Sequence, residues 1–462
     1  MTVMSKVFKA YDVRATYPDP LNEQVGQKVG YGIGQWLKQR HGGQVGLVLT
    51  SRDHRPAAES MHDAINWGLR AVGHRVIDLG RCDTSFMYFA IPFVKGALGG
   101  VQTTASHNPI EYIGYKISST EARPVGADTG LKQIQTIAEQ LEGNCPEPTG
   151  GYEQQDLWAD YREHVLSFLA PPKRPLRIFV DACNGMATKL VPTVFGGIEN
   201  IEIIEENFLF TDCWAHEPNP LVAENMAPTR EGVVRHGADL GACFDGDADR
   251  CMLVDDMGGI IGCDHLTALL CESMLEKQPG SAIVYDLRSS KVVPEIIAAR
   301  GGQPEVSKVG HVNMKERLRE TDGIFGGELS GHFYFKHNCF ADSGAITLAA
   351  VLSVLGRTDR SIGEAILPLR RYPQSGEINF INDDSKATIQ AMKDHYGSCA
   401  DSVLELDGVT IDRFNRDGWW FNVRASNTEP LLRLNAEARE SEILKAILAD
   451  LTPQLGQLVE GH

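Results

Sequence analysis

The sequence predicts an α/β protein: three related mixed α/β (βαβ-containing) domains plus a smaller C-terminal α+β domain, arranged around a central cleft. Three observations lead there. The chain has 462 residues, enough for about two to four compact bodies at ordinary domain size. A pattern of apolar strand, polar turn, amphipathic helix, glycine and second strand occurs three times. Beyond Tyr372 that pattern stops, and strands follow one another before a single helix.

The first repeat runs from a strand at Val45–Thr50 through the turn Ser51-Arg52-Asp53 and a helix over Met61–Ala71 to Gly73 and a strand at Arg75–Leu79. Leu176–Val180, Asp181–Gly185, Thr188–Val194, Gly196-Gly197 and Ile201–Ile204 repeat it. So do Ser281–Tyr285, Asp286–Ser290, Val292–Ala299, Gly301-Gly302 and Pro304–Ser307. Such βαβ units build mostly parallel sheets covered by helices, with ligands at the carboxyl ends of the strands. The polar turns are therefore where chemistry is expected. The last part reads as strands at Gly376–Phe380, Gly408–Ile411, Trp419–Arg424 and Pro430–Ala436, then a helix over Glu440–Leu451. Boundaries in the stretches Glu142–Gly151, Asp255–Gly259 and Leu367–Ser375 give domains at 1–150, 151–257, 258–371 and 372–462.

Composition narrows the function. Hydrophobic residues at 42% and charged residues at 23% suit an ordinary globular protein. Against 61 Asp and Glu stand 44 Lys and Arg, a net charge of −17, which repels nucleic acid and anionic lipid. A phosphorylated substrate then needs a local cluster of cations. Ten cysteines without a CxxC pair point to a reducing compartment. The start carries no signal-peptide pattern, and the longest apolar stretch, Ala345–Leu355, is too short to span a bilayer. A cytoplasmic location is expected, with neither nucleic acid nor membrane as partner.

Four loops carry candidate chemistry. Thr103–Pro109 offers Ser106 as a nucleophile, although a hydroxyl-rich turn reads the same way. Asp245-Gly246-Asp247-Ala248-Asp249-Arg250 lies between two strand-like segments. Carboxylates at every second position of an extended segment face one side, where they can share a hard cation such as Mg²⁺. Arg250 at the sixth position, Asp256 at the twelfth and the strand flanks exclude an EF-hand, and the lack of His or Cys there argues against zinc. Arg250 beside the acidic loop makes sense if a phosphate is also present. In Gly326–His332, Glu328, Ser330 and His332 alternate and can take paired sugar hydroxyls. In Arg424–Pro430, a guanidinium, hydroxyls, an amide and loop N–H groups can surround a phosphate. The loops fall one per domain, and together they describe phosphoryl transfer on a phosphosugar.

With these loops in this order, and with Phe8-Lys9-Ala10-Tyr11-Asp12-Val13-Arg14 ahead of them, the sequence resembles bacterial phosphomannomutases/phosphoglucomutases of the α-D-phosphohexomutase family over essentially its whole length. The resemblance implies Ser106 as the phosphoserine and as a further metal ligand, with Asp245, Asp247 and Asp249 holding one Mg²⁺ and Arg250 contacting the phosphoserine. It assigns Glu328 and Ser330 to the sugar hydroxyls, and Arg424, Ser426, Asn427 and Thr428 to the phosphate that is not reacting. Arg14, Lys116 and His332 match positions linked to proton transfer or phosphate contact, and Tyr11, Arg288 and His311 match further active-site positions. Three departures bear on loop shape: Ala15 where glycine is usual, Arg52-Asp53-His54-Arg55 for Arg-Asp-Gly-Arg, and Thr211–His216, which keeps part of an Asp-Gly-Asn-Phe-Pro pattern.

The implied reaction interconverts hexose 1-phosphate and hexose 6-phosphate, of mannose or glucose, through a phosphoserine enzyme and a 1,6-bisphosphate that turns end for end. Glucose 1,6-bisphosphate is the implied activator and a monomer or weak dimer the expected state. A base among Lys116, His332 and His107 takes the hydroxyl proton. Lys116 ranks first if Arg14 depresses its pKa. The alternatives are a phosphatase with Asp245 as nucleophile, a non-catalytic phosphosugar-binding protein and, within the family, phosphoglucosamine mutase, which usually has Gln where Leu329 lies.

Overall fold

The computed structural model describes residues 2–426 and 431–459. The chain divides into two compact units, Met1–Ile260 with Gly331–Gly363, and Ile261–Ser330 with Glu364–His462. The third expected domain, 258–371, is thus shared between them.

In the first unit, the strand Leu47–Arg52 runs parallel to Arg75–Arg81 and Ala97–Thr103. Tyr112–Ser119 and Val13–Thr16 extend the sheet antiparallel. The central residues of Leu47–Arg52, Val48 to Ser51, are all buried, as in a strand covered on both faces. The helix Glu23–Arg40 starts where Asn22 accepts the Val25 N–H at 3.2 Å, capping an otherwise unpaired donor. It packs on the helix Ala58–Ala71 at backbone distance. A Cβ on Gly68 would stand 2.5 Å from Tyr31 N, and one on Gly30 2.5 Å from Ile65 O.

A second sheet in this unit has the order Cys251–Val254, Leu240–Phe244, Leu176–Asp181, Ile201–Glu206. Leu240–Phe244 is parallel to Leu176–Asp181 and antiparallel to Cys251–Val254. All five residues of Leu240–Phe244 are buried, so its carboxyl end delivers the acidic loop from a rigid base. The apolar stretch near Ala345–Leu355 forms the helix Gly344–Leu355, buried over nearly its whole length. No helix among the described residues is long and apolar enough to cross a membrane.

In the second unit, Ala282–Asp286 is parallel to both Gln303–Ser307 and Phe325–Gly327. The C-terminal part is an antiparallel sheet whose core strands are Val409–Arg413, Trp419–Ala425, Leu431–Ala438 and Gln374–Ile381. The single expected helix corresponds to Ser441–Leu455. A second one corrects the expectation: Ser385–Tyr396, capped by Asp384, whose carboxylate accepts the Ala387 N–H at 3.0 Å. Only Met392 and Tyr396 of this helix are buried, too sparse a stripe to stand out as helical periodicity.

The helix contact at Gly68 carries a prediction. Gly68→Ala adds a methyl where only backbone fits and should destabilise by about 1–3 kcal/mol through overpacking, outweighing the gain of about 1 kcal/mol in helix propensity. Thermal or urea unfolding checks this, and an unchanged or raised midpoint would contradict it.

Candidate active site

The strand Ala97–Thr103 ends in the loop that carries Ser106. Ser106 has φ +51°, a left-handed conformation that costs a non-glycine residue energy and persists only where the surroundings enforce it. The enforcement comes from Arg55. Its guanidinium, fully buried, donates to four backbone carbonyls: Ser106 O at 2.7 Å, Asn108 O at 2.9 Å, Pro109 O at 2.6 Å and Tyr112 O at 3.0 Å. Asp53 accepts from Arg55 Nε at 3.2 Å and from Arg55 N at 3.0 Å. Thr104 Oγ1 accepts the Ser106 N–H at 3.0 Å. Above the guanidinium lies the Trp214 ring, 4.9 Å from Cζ, whose Nε1 donates to Asn108 O at 3.3 Å. His54 fills the space beside it, 5.0 Å from Trp214 and 5.1 Å from Phe210. Two of the departures noted in the sequence, His54 and the Thr211–His216 segment, therefore pack against each other.

The acidic loop meets Ser106 directly, with Ser106 Oγ 3.3 Å from Asp245 Oδ2 and 3.3 Å from His107 Nδ1. Glycine at 246 is required by this approach, because a Cβ there would stand 2.5 Å from Ser106 O and 3.2 Å from the Trp214 ring. Asp245, Asp247 and Asp249 are buried and bring one oxygen each within 4.8 Å of one another. Asp247 Oδ1 is buried with no hydrogen-bond partner, while Oδ2 takes Thr84 Oγ1 at 2.5 Å and Lys116 Nζ at 2.7 Å. Burial and the neighbouring Asp249 carboxylate push Asp245 up to about 7, the mark of a cluster short of positive charge. Three hard oxygens with an orphaned lone pair among them fit a Mg²⁺ ion.

Cations ring the cluster. Arg250 Nε donates to Asp245 Oδ2 at 2.9 Å, and its Nη2 is buried without a hydrogen-bond partner. Arg14 Nη1 donates to Asn108 Oδ1 at 2.5 Å. Lys116 Nζ donates to Asp249 Oδ2 at 2.6 Å as well as to Asp247. The expectation that Arg14 depresses the Lys116 pKa is overturned: burial favours the neutral amine, but the Asp247 and Asp249 carboxylates outweigh it and hold the pKa well above its ordinary value. His107 shifts the other way, well down, through burial and the positive charges of Arg250, Arg14 and Lys116. His332 lies with Nε2 3.6 Å from Asp249 Oδ1 and 3.7 Å from Asp342 Oδ2. Burial opposes its protonation, and these carboxylates raise its pKa all the same. Tyr11 sits half-buried in the turn before the strand that carries Arg14.

The second unit assembles its own set. Arg288 donates to Asp286 through Nε at 3.1 Å and Nη2 at 2.9 Å, and to Glu377 Oε2 through Nη1 at 3.3 Å. Arg424 Nη2 meets the same Glu377 oxygen at 2.7 Å, and Arg433 Nη1 meets Oε1 at 2.9 Å. Arg424 is buried, and its Nε has no hydrogen-bond partner. Glu328, also buried, accepts the Gly310 N–H at 2.9 Å and lies 3.8 Å from Arg288. His311 begins the helix His311–Glu320 directly after Gly310, and Ser330 follows Glu328 in the same loop. Ser426 N donates to Leu431 O at 2.8 Å. Asn427 and Thr428 lie outside the described residues.

Four residues of these sites carry no signal in the sequence that names a role. Arg55 and Trp214 lie far along the chain from Ser106, and Glu377 and Asp342 are single carboxylates, one inside a strand and one at a strand end. The available clue was the pairing of Arg55 with Asp53 in one polar turn.

Arg55→Lys should lower kcat by about 100-fold or more, since one ammonium cannot hold four carbonyls and a misplacement near 1 Å costs that much. Steady-state kinetics on a variant with unchanged circular dichroism checks this, and near-normal kcat would contradict it.

Family models match all four parts of the chain: phosphoglucomutase/phosphomannomutase α/β/α domain I over residues 5–144, domain II over 159–258, domain III over 263–372 and the C-terminal domain over 377–454. The chain is 37% identical over 461 residues to the phosphohexose mutases of Xanthomonas campestris pv. campestris strain B100, covering 98% of this chain and 99% of that one. It is 35% identical over 464 residues to a phosphomannomutase of Vibrio cholerae, with 98% of each covered. A crystal structure of a phosphoglucomutase/phosphomannomutase family protein from Burkholderia thailandensis superposes with a TM-score of 0.89 at 28% identity, covering 99% of both chains. With its four α/β parts, its buried aspartate triad and these relatives over nearly its full length, the chain belongs to the phosphoglucomutase/phosphomannomutase family, mutase enzymes that transfer phosphate within a sugar.

Proposed function

We propose that this enzyme interconverts the 1- and 6-phosphates of a hexose, mannose or glucose, through phospho-Ser106 and a hexose 1,6-bisphosphate. The observation that carries this reading is Ser106 Oγ held 3.3 Å from Asp245 Oδ2 at the edge of the buried aspartate triad. Phospho-Ser106 gives its phosphoryl group to the free sugar hydroxyl. The P–Oγ bond breaks, a P–O bond to the sugar forms, and the hydroxyl proton passes to an imidazole beside the triad, His107 or His332, while Lys116, kept as the ammonium by Asp247 and Asp249, contributes positive charge. The bisphosphate then presents its other phosphate and Ser106 is phosphorylated again. Asp245, Asp247 and Asp249, with an oxygen of the phosphate on Ser106, would hold Mg²⁺, which when bound supplies charge neutralisation to the transferring group. The Arg250 Nη2 without a hydrogen-bond partner supplies a second positive contact to it, and Arg14 steadies the loop.

For the second unit we assign Glu328 and Ser330 to paired sugar hydroxyls. Arg288 and Arg424, with Ser426, Asn427, Thr428 and His311, serve the phosphate not being transferred, so they must accept either end of the bisphosphate, and Tyr11 of the first unit is a further active-site residue. Glucose 1,6-bisphosphate would act as the activator by rephosphorylating Ser106. In this reading the protein is a cytoplasmic monomer or weak dimer with a small phosphohexose as its partner, and its functional domains are 1–150, 151–257, 258–371 and 372–462.

Ser106→Ala should lower mutase turnover by at least about 10³-fold, as expected when a covalent route is removed. Mannose 1-phosphate and glucose 1-phosphate, primed with glucose 1,6-bisphosphate, should both turn over faster than glucosamine 1-phosphate on the wild-type enzyme. Full activity of the variant would refute the phosphoserine route, and preferred turnover of glucosamine 1-phosphate would refute the sugar assignment. Asp247→Asn should abolish the Mg²⁺ dependence and most of the activity, while activity retained in excess chelator would contradict the metal assignment.

A further inference from the structure

A second cluster of metal-ligating side chains lies in the first unit, on residues the proposed reaction does not use. Asp181 ends the strand Leu176–Asp181, Cys243 lies in the strand Leu240–Phe244, and His216 comes from the segment that follows Thr211. One ligand atom from each falls within 4.8 Å of the others. Asp181 and Cys243 are buried, whereas the His216 side chain is 16% exposed, which places the edge of the cluster near the surface.

The imidazole carries the argument. His216 Nδ1 stands 3.0 Å from Glu217 O, and a carbonyl oxygen only accepts, so Nδ1 carries the hydrogen. That leaves Nε2, 3.0 Å from Asp181 Oδ2, as the lone-pair atom of a neutral ring facing a carboxylate oxygen. Two acceptors at this distance repel unless a cation lies between them, and the cation is either a proton or a metal ion. A proton would account for the His–Asp pair alone. A metal ion would account for the thiol of Cys243 beside it as well.

The outer contacts match a metal site. The Glu217 carbonyl orients His216 through its far nitrogen, as backbone oxygens do for metal-bound histidines. Asp181 Oδ1 is held by Cys183 N at 2.9 Å and Asn207 Nδ2 at 2.9 Å, while Oδ2 faces His216 and takes only a long contact from Thr229 Oγ1 at 3.5 Å. Cys183 Sγ donates to His216 O at 2.9 Å and so ties the histidine backbone to the same turn. Sulfur, nitrogen and oxygen together select a borderline-soft divalent ion over Mg²⁺.

We infer that Asp181 Oδ2, His216 Nε2 and Cys243 Sγ form a three-residue site for Zn²⁺ or a similar thiophilic divalent ion, separate from the Asp245–Asp247–Asp249 triad. Such an ion staples the Thr211–His216 segment to two strand ends. Trp214, two residues before His216, covers the Arg55 guanidinium, so the staple fixes the segment that lies over the Ser106 loop.

The test uses the full-length protein, stripped of metal by chelation and then given excess Mg²⁺ so that the aspartate triad is filled. Titration with Co²⁺ should give a thiolate-to-cobalt charge-transfer band in the near ultraviolet that saturates at one equivalent and is bleached by Zn²⁺. Cys243→Ser should remove the band and weaken zinc binding by more than about 100-fold, the upper end of what losing an outer-shell partner costs. Cys183→Ser, Cys213→Ser and Asp245→Asn should keep it. Should Cys243→Ser not fold, X-ray absorption on the zinc-loaded wild type serves instead, with one sulfur at about 2.3 Å and nitrogen and oxygen at about 2.0–2.2 Å expected. No thiolate band, a band that survives in folded Cys243→Ser, or a zinc shell without sulfur would overturn the proposal and leave a protonated His216–Asp181 pair.

Discussion

One buried guanidinium organises the reactive end of this protein. Arg55 donates to the carbonyls of Ser106, Asn108, Pro109 and Tyr112, so the loop that bears Ser106 is held mainly from its backbone, with Thr104 and Asn108 adding side-chain contacts. Left-handed φ at Ser106 follows from that anchorage, as does the direction of its Oγ toward Asp245. An arginine suits the task because its planar fork presents five fixed donors. Its own charge is answered by Asp53 in the same turn and by the face of Trp214. Breaking a buried pair of this kind costs about 3–5 kcal/mol, which is why the turn and the loop behave as one piece.

The second constraint is charge. The chain is acidic by 17 charges, yet it places three carboxylates together in a buried position, where mutual repulsion and lost hydration oppose ionisation. Lys116 and Arg250 offset part of this through direct hydrogen bonds. The remaining demand shows in Asp245, pushed up to about 7, and in the orphaned Asp247 Oδ1. The same opposition to the average charge recurs in the second unit, where Arg288, Arg424 and Arg433 share the one carboxylate of Glu377. The five cations singled out in the sequence thus fall into two groups: Arg14, Lys116 and Arg250 in the first unit, Arg288 and Arg424 in the second.

Much of this was legible in the chain because two kinds of signal are local. Strand, turn, helix and glycine recur at short range, and the three βαβ units stand where the pattern placed them. Asp245, Asp247 and Asp249 alternate within one short loop, so their grouping was legible, although the loop is a turn with Ala248 at φ +57° and not the extended segment expected. What stayed hidden depends on contacts between distant segments. Arg55 and Ser106 are 51 positions apart, Trp214 and Asn108 are 106 apart, and Glu377 meets arginines 47 and 89 positions away. Lys116 was misjudged for the same reason, since its proton is governed by carboxylates 131 and 133 residues downstream and not by a neighbouring arginine. The helix Ser385–Tyr396 escaped because it buries two residues and is marked mainly by its Asp384 cap.

The central claim is that the phosphoryl group passes through Ser106 of this loop to the sugar. The most direct measurement is a single turnover in which enzyme carrying isotopically labelled phosphate on Ser106 is mixed with unlabelled mannose 1-phosphate and the label is followed by mass. The label should leave the protein, appear in a hexose 1,6-bisphosphate and end at the 6-position of the product, while the protein regains an unlabelled phosphate. Product forming while the label stays on the protein, or is released only as inorganic phosphate, would contradict it.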